Sequence, residues 1–395
     1  MPETNRPALR AIALATFLTL VPITLLVPGL DELVVDAHGG TRFQAHLFVA
    51  LNQLAGIIAV PFAMHWHRRF PGTRRWVVAL LALDAVAFLG MGAADSLGGL
   101  FVWRAIDGMA HLPAVTFLMI AANRAGGARR GAALGVVAAA LMVGVAVGAP
   151  LGGILIDRAV DSIYTVGAAL LGVAALSAMA IPSGTLTQPA TRSRYEWDRR
   201  NAASWMPLAY GFTDRFLIGV FVSSFTIYLT EVHAVSAATR GMLMSLFLLP
   251  FALLCWPAGR LADRVGWFAP IITANICFGV LYASYGVLPF GWLPAAMVLS
   301  GVLSALMFSP SLVLVSEFAK RGAGEGLFGV FQVAGSFGFL FGPIVGGLLV
   351  ESLRHADGTP MWAMIFGVVG GSLVALGLVS WRVLGRLSRE WQAPA

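Results

Sequence analysis

Between Arg130 and Asp157 the chain runs GAALGVVAAALMVGVAVGAPLGGILI without one charged side chain. A helix rises 1.5 Å per residue, so about 20 such residues cross the hydrocarbon of a bilayer. Comparable apolar runs, bounded by charges, Gly and Pro, predict helices near 8–30, 43–64, 76–94, 97–122, 131–156 and 162–181. A second set follows near 205–230, 240–258, 268–288, 293–318, 326–350 and 361–384. Twelve spans use about 240 to 270 residues of the chain, which leaves no room for a large soluble domain. Only 11% of the 395 residues are charged, against roughly 25% in soluble proteins, and an ordinary soluble enzyme is excluded. The expected fold is an all-α membrane protein with one bundle over 1–181, a cytoplasmic linker over 182–201 and a second bundle over 202–395. The linker is the segment from Pro182 to Asn201, rich in Ser, Thr, Pro and Gln and carrying Arg192, Arg194, Arg199 and Arg200. The first apolar run follows Arg6 and Arg10 as a signal peptide would, but it is too long and lacks a small-residue cleavage site before Asp31-Glu32. It reads as a retained first helix.

Lys and Arg resist translocation, so their positions set the orientation. With both termini cytoplasmic, Arg68, Arg69, Arg74 and Arg75, then Arg124, Arg129 and Arg130, the linker arginines, Arg260, Arg264, Lys320, Arg321 and both tails fall inside. Only Arg42, Arg158, Arg240 and Arg354 fall outside, with Arg104 and Arg215 within spans. The net charge of +7 is therefore an orientation device and not a nucleic-acid footprint. The expected location is a cell membrane, the inner membrane of a bacterium, with the lipid bilayer as partner.

Helices five and eleven carry one glycine pattern, as a duplicated bundle would. Gly135 is followed by Gly144, Gly148, Pro150, Gly152 and Gly153; Gly329 is followed by Gly338, Gly342, Pro343, Gly346 and Gly347. The glycines repeat at an offset of 194, and Pro113 and Pro310 repeat at 197. Glycines four apart form a flat strip that lets a neighbouring backbone approach closely, and a proline beside it bends the helix.

With these motifs the sequence resembles the major facilitator superfamily of secondary transporters over essentially its whole length. Gly338 to Gly347 matches the Gly-x3-Gly-Pro-x2-Gly-Gly pattern that proton-coupled exporters of that family carry in helix five. The helix-five copy here keeps the glycines, with its proline one place late at Pro150. Gly259-Arg260-Leu261-Ala262-Asp263-Arg264-Val265-Gly266 is similar to the family's cytoplasmic loop motif, a latch for the closed inner gate, so Asp263 and Arg264 are implied as gating residues. Its counterpart after helix two, Ala63-Met64-His65-Trp66-His67-Arg68-Arg69, has lost the aspartate. Arg104-Ala105-Ile106-Asp107-Gly108 is similar to the family's Arg-x2-Gln-Gly motif, with Asp107 in place of Gln. The resemblance implies two pseudo-symmetric six-helix bundles, a functional monomer, and access that alternates as one bundle rocks against the other.

Asp84, Arg104, Asp107, Asp214 and Arg215 fall within the predicted spans, where a charge costs at least about 2.5 to 3.5 kcal/mol near the centre and marks a functional candidate. Arg104, Asp107 and His111, three and four residues apart, share one helix face. Counting 1.5 Å per residue puts Asp107 roughly 15 Å deep from outside and Asp84 roughly 12 Å from the cytoplasmic boundary, at nearly one level. Two readings stand: Asp107 couples proton entry to the change of access, with Arg104, Asp84 and His111 in support, or a static ion pair joins the helices. In helix seven Asp214 begins a face with Ile218, Phe221, Phe225 and Tyr228, an acid at the end of an aromatic stripe. The face either packs or, with Arg215, receives a substrate whose head is cationic or polar and whose body is apolar. Asn52, Gln53 and Gln332 are further candidates to bond substrate or a neighbouring helix, as are Thr16, Thr19 and Thr24.

Asp31 and Glu32 read as a solvated loop or an outer acidic mouth. His65 and His67 lack a third ligand in their loop, so no metal is expected; a histidine where the family has aspartate also suggests an inner latch sensitive to cytoplasmic pH, which His65→Ala would test. Cys255 and Cys277 lie in apolar runs without a partner at metal or disulfide spacing. No nucleophile–base pair, nucleotide loop or metal set is legible, so neither catalysis, a cofactor nor direct ATP drive is expected. The function expected is proton-coupled export of a hydrophobic or amphiphilic small molecule; the rivals are a sugar or metabolite exporter, a symporter, and a non-transporting receptor or assembly factor of the same fold.

Overall fold

The structure is a computed structural model that describes residues 6–125, 130–181, 202–318 and 326–392. Its described residues are mostly α-helical: α1 (Arg6–Leu25), α2 (Arg42–Arg69), α3 (Thr73–Gly92), α4 (Leu97–Ala125), α5 (Arg130–Arg158) and α6 (Ser162–Ala178), then α7 (Met206–His233), α8 (Ala237–Val265), α9 (Phe268–Ser284), α10 (Leu293–Phe318), α11 (Gly326–Ser352) and α12 (Trp362–Gln392). Among the described residues ten helices are long and apolar enough to cross a membrane, while Ser162–Ala178 and Phe268–Ser284 are shorter apolar helices. The linker falls outside the described residues. α2 starts where Thr41 and Gln44 cap one another, Gln44 N–H donating to Thr41 Oγ1 (3.2 Å) and Thr41 N–H to Gln44 Oε1 (2.7 Å), which satisfies two otherwise orphaned donors.

Two compact units form: Met1–Pro189 with Phe225–Ser245, and Ala190–Ser224 with Leu246–Ala395. In the first, α1 packs on α5 and α6, α3 packs on α6, and α2 and α3 both pack on α4 rather than on each other. Lipid tails are as apolar as leucine, so close van der Waals fit, more than burial from water, holds such helices together. The glycine strip of α5 supplies that fit. A Cβ at Gly144, Gly148 or Gly152 would run into the carbonyls of Phe17, Val21 and Leu25 on α1. In the second unit α9 packs on α10 and α12. Gly338 and Gly342 of α11 seat in the same way on the backbone of α7 at Phe212 and Phe216, so the repeated motif does the same mechanical work in both units.

The α7–α8 turn belongs to the first unit and is tied down there. Ala234 takes a left-handed conformation (φ 49°) to make the turn, a posture that costs a non-glycine residue about 1–2 kcal/mol. Asp157, at the end of α5, accepts from the N–H groups of Ala237 (2.9 Å) and Ala238 (3.0 Å), placing an anion on the positive end of α8. Gly153 and Gly241 let α5 and α8 cross backbone on backbone, and Ser245 Oγ donates to the Ala146 carbonyl (3.0 Å). Arg240, only 1% exposed, pairs with Glu32 and donates to Thr230, while Arg42 pairs with Glu231. The acidic residues after helix one are thus part of an ionic cluster and not a freely solvated loop.

Burial first, and Glu32 second, push the Asp31 carboxyl up to about 6, against the pull of Arg240, Thr230 and Arg42. The folded protein then binds more protons than the unfolded chain between pH 3.8 and about 6, so this carboxyl's contribution to stability is present below that window and is lost as pH rises through it. Asp31→Asn is expected to raise the melting temperature at pH 8, by a stabilisation of up to about 3 kcal/mol, and to change little at pH 3.5. Thermal unfolding in detergent at both pH values is the check.

Candidate functional site

The buried polar centre of the first unit is built from α2, α3 and α4. Arg104 and Asp107 lie one turn apart on α4, at 3% and 0% exposure, and Arg104 Nη1 reaches Asp107 Oδ2 at 2.6 Å. The same Oδ2 accepts from Asn52 Nδ2 of α2 at 2.9 Å. Arg104 Nε donates to the Phe48 carbonyl (3.2 Å), and its guanidinium lies 4.7 Å from the centre of the Phe48 ring. Gly108 permits this closeness, since a Cβ there would strike the backbone of Asn52. From α3, fully buried Asp84 places Oδ2 3.0 Å from His111 Nδ1.

Asp84 Oδ1 and Asp107 Oδ1 have no hydrogen-bond partner among the described residues. Buried carboxylate oxygens are normally satisfied, and here two carboxyl groups lie side by side with one unpartnered oxygen each. Asp84, Asp107 and His111 bring one ligand atom each within 4.8 Å of one another, a spacing a metal ion would also fit. Arg104 already occupies Asp107 as its cation, which opposes a second one there.

The expectation that Asp84 and Asp107 share a level matches this geometry, and His111, placed by sequence on the face of Arg104 and Asp107, turns to Asp84. Asn52 belongs with Asp107, and Gln53 reaches only Asn52 Oδ1, at 3.4 Å.

In the second unit Asp214 is 4% exposed and its Oδ2 takes Arg215 Nε at 3.3 Å. The Arg215 guanidinium lies 5.4 Å from the Phe308 ring centre. Phe221 is buried with its ring 4.9 Å from that of Phe247. Phe225 and Tyr228, further along α7, are buried in the first unit, where Tyr228 Oη meets His233 Nε2 at 3.1 Å. Gln332 is exposed on α11, Pro343 and Gly346 lie in its second half, and Pro150 sits inside α5. Asp263 and Arg264 are exposed at the end of α8. His65 is exposed, whereas His67 is buried and meets Thr73 Oγ1 at 3.2 Å.

Sequence reading missed two features. The ionic cluster of Arg240, Glu32, Arg42 and Glu231 joins residues far apart in the chain, and only the expected assignment of Arg42 and Arg240 to the same side of the membrane hinted at it. Just past α9, Tyr285 meets Ser300 of α10 at 2.5 Å beside Tyr282, whose hydroxyl, like the side-chain nitrogen and oxygen of Asn275, is buried without a partner among the described residues. Asn275 and Ser300 carried no charge to single them out from the apolar runs.

No curated protein matches the sequence. Among solved structures, a mutant of the nucleoside transporter NupG superposes with a TM-score of 0.78 at 14% identity, over 95% of this chain and 99% of that one. A D-xylose-proton symporter gives 0.75 at 15%, over 95% and 96%. A bacterial homolog of the human lysosomal transporter Spinster gives 0.74 at 13%, over 95% and 94%. At such identities the likeness is one of fold. The family profile described as Major Facilitator Superfamily, however, matches residues 12–234 and again 208–395. Taken with the all-helical architecture and the membrane-length helices, this makes the chain a multi-pass membrane transporter belonging to the Major Facilitator Superfamily.

Proposed function

We propose that the chain is a proton-coupled exporter of a hydrophobic or amphiphilic small molecule, with Asp107, Arg104, Asp84 and His111 as its coupling centre. The carrying observation is the sealed cluster with two unpartnered carboxylate oxygens. Two carboxylates against one guanidinium, with neutral histidine, leave one formal negative charge in excess. A single proton cancels it. A purely structural ion pair would satisfy all its oxygens, because a half-paired buried charge is costly; vacant Oδ1 atoms favour a carrier. Each time the proton leaves, Asp107 draws on Arg104 and Asn52, so the protonation state is tied to how tightly α2, α3 and α4 hold together.

Export rather than uptake is supported by the exporter-like glycine motif in α11 and the arginine motif in α4. The apolar character of the substrate is supported by Phe308, whose ring lies against Arg215, and by Phe221 two turns along α7 from Asp214, Asp214 and Arg215 being assigned to its polar head. The same scaffold serves nucleosides and D-xylose in other proteins, so substrate choice rests on these side chains and not on the fold. The termini are assigned to the cytoplasm on the distribution of basic residues.

The test uses purified protein in liposomes carrying an internal pH dye. An antiporter moves one proton against each substrate molecule, so substrate added on one face is expected to drive protons toward that face. Protons moving with the substrate would identify a symporter, and substrate binding without proton flux would defeat the coupling assignment.

A further inference from the structure

At the junction of α2 and α3 lies a cavity of about 550 Å3 lined by Trp66, Arg69, Phe70, Arg75 and Trp76, with Pro71 and Ala79 completing it. It sits where the chain turns from α2 into α3, both of which pack on α4. The turn that shapes it is firmly built. The Phe70 N–H donates to the Trp66 carbonyl (2.7 Å), Trp76 Nε1 donates to the Phe70 carbonyl (3.0 Å), and the Trp66 and Phe70 rings stack at 5.8 Å. Gly72, at φ 148°, takes the sharp reversal between the helices.

Arg69 and Arg75 are exposed and have no acidic partner among the described residues. The end of α8 carries Asp263 beside Arg264, whereas at the matching place near the end of α2 stands His67, buried against Thr73, which also accepts from Arg124 at 2.7 Å. With no carboxylate among the described residues paired to either arginine, the cationic cavity is left open to an anion from outside the chain.

We propose that this cavity binds the headgroup of an acidic phospholipid, its phosphate between Arg69 and Arg75. The assignment of the α2–α3 loop to the cytoplasmic face puts the cavity at headgroup level, where tryptophans sit at the water–hydrocarbon boundary and basic pockets attract anionic lipid. An exposed apolar ridge supplies the place for the acyl chain: Leu54, Ile58, Phe62, Trp66 and Phe70 follow one another at four-residue steps. At 1.5 Å per residue the ridge is about 24 Å long, enough to line the roughly 15 Å of one leaflet. A soluble phosphate would use the arginines and leave the aromatic walls and ridge without a role.

Native mass spectrometry of the purified chain with dioleoyl phosphatidylglycerol or phosphatidylcholine reads the proposal directly, without a transport assay. Retention of the acidic lipid over the zwitterionic one is expected, and Arg69→Gln with Arg75→Gln is expected to weaken it about 30-fold, two arginines at roughly 1 kcal/mol each. Arg75→Gln alone, read in the same way should the double variant not fold, is expected to weaken it about 5-fold. Trp66→Ala is expected to keep the preference for the acidic headgroup and shorten its retention. Equal retention of both lipids, unchanged retention by the arginine variants, or full displacement by inorganic phosphate would each overturn the assignment, the last identifying a soluble-anion site.

Discussion

Asp107→Asn is expected to abolish gradient-driven transport while leaving counterflow exchange intact. With one proton per substrate, a difference of 2 pH units stores about 2.7 kcal/mol, a concentration ratio of about 100-fold; the variant is expected to bring that ratio to 1. Counterflow survives because it moves no net proton. The substitution keeps the shape of the site and a hydrogen-bonding oxygen for Asn52 and Arg104, but it leaves the guanidinium without its carboxylate. Arg104 then depends on the Phe48 carbonyl at 3.2 Å, the Phe48 ring, and the amide oxygen of the substituted side chain. Breaking a buried pair from one side costs about 3–5 kcal/mol, so a lower melting temperature accompanies the loss. The double variant Arg104→Gln, Asp107→Asn removes both charges and is expected to recover stability without recovering coupling. Accumulation by Asp107→Asn at the wild-type ratio would mean that Asp84 carries the proton alone or that the Arg104 pair is static.

The second large effect is mechanical. Gly148→Val is expected to prevent folding of the first unit, because its Cβ would overlap the Val21 carbonyl and Thr24 Oγ1 of α1. Backbone cannot yield as a flexible side-chain tip can, and overpacking costs about 1–3 kcal/mol even where neighbours give way. Gly342→Val should do the same in the second unit against Phe216 and Gly219. Gly135→Val and Gly329→Val are the controls. They belong to the same repeated motif, yet nothing lies within 4 Å of the added atom, and surface-like changes of this kind stay within about 0.5 kcal/mol. Yield of monodisperse protein from the four variants separates packing from mere glycine content.

The comparison of these glycines shows what a sequence can and cannot reveal. Spacing identified the strips on α5 and α11, because a four-residue period maps onto one helix face whatever the neighbour. It did not distinguish Gly148 from Gly135, since which part of a face meets a partner depends on helix crossings. Helix positions were legible because the membrane imposes a length on each apolar run; α2 nevertheless extends to Arg69 and α12 to Gln392, their ends being polar and invisible to hydropathy. Arg104 and Asp107 were legible as a pair because they share a helix. The junction of His111 with Asp84, and of Asn52 with Asp107, crosses between helices 27 and 55 residues apart, and rise per residue gives depth but not azimuth. For the same reason Arg240 read simply as an outer charge, while the fold buries it against Glu32.

The crossing of α5 and α8 has an evolutionary consequence. At Ala149, Gly153, Ala237 and Gly241 two backbones meet with no side chain between them, so neither helix can enlarge a residue there unless the other retreats. Substitution at one of these positions should therefore be accompanied by change at its opposite number, whatever molecule the transporter carries. Among relatives with different cargo, these four sites should covary as a set while the residues around Asp214 diversify independently. A family tree built from the crossing would then follow descent, and one built from the α7 residues would follow substrate.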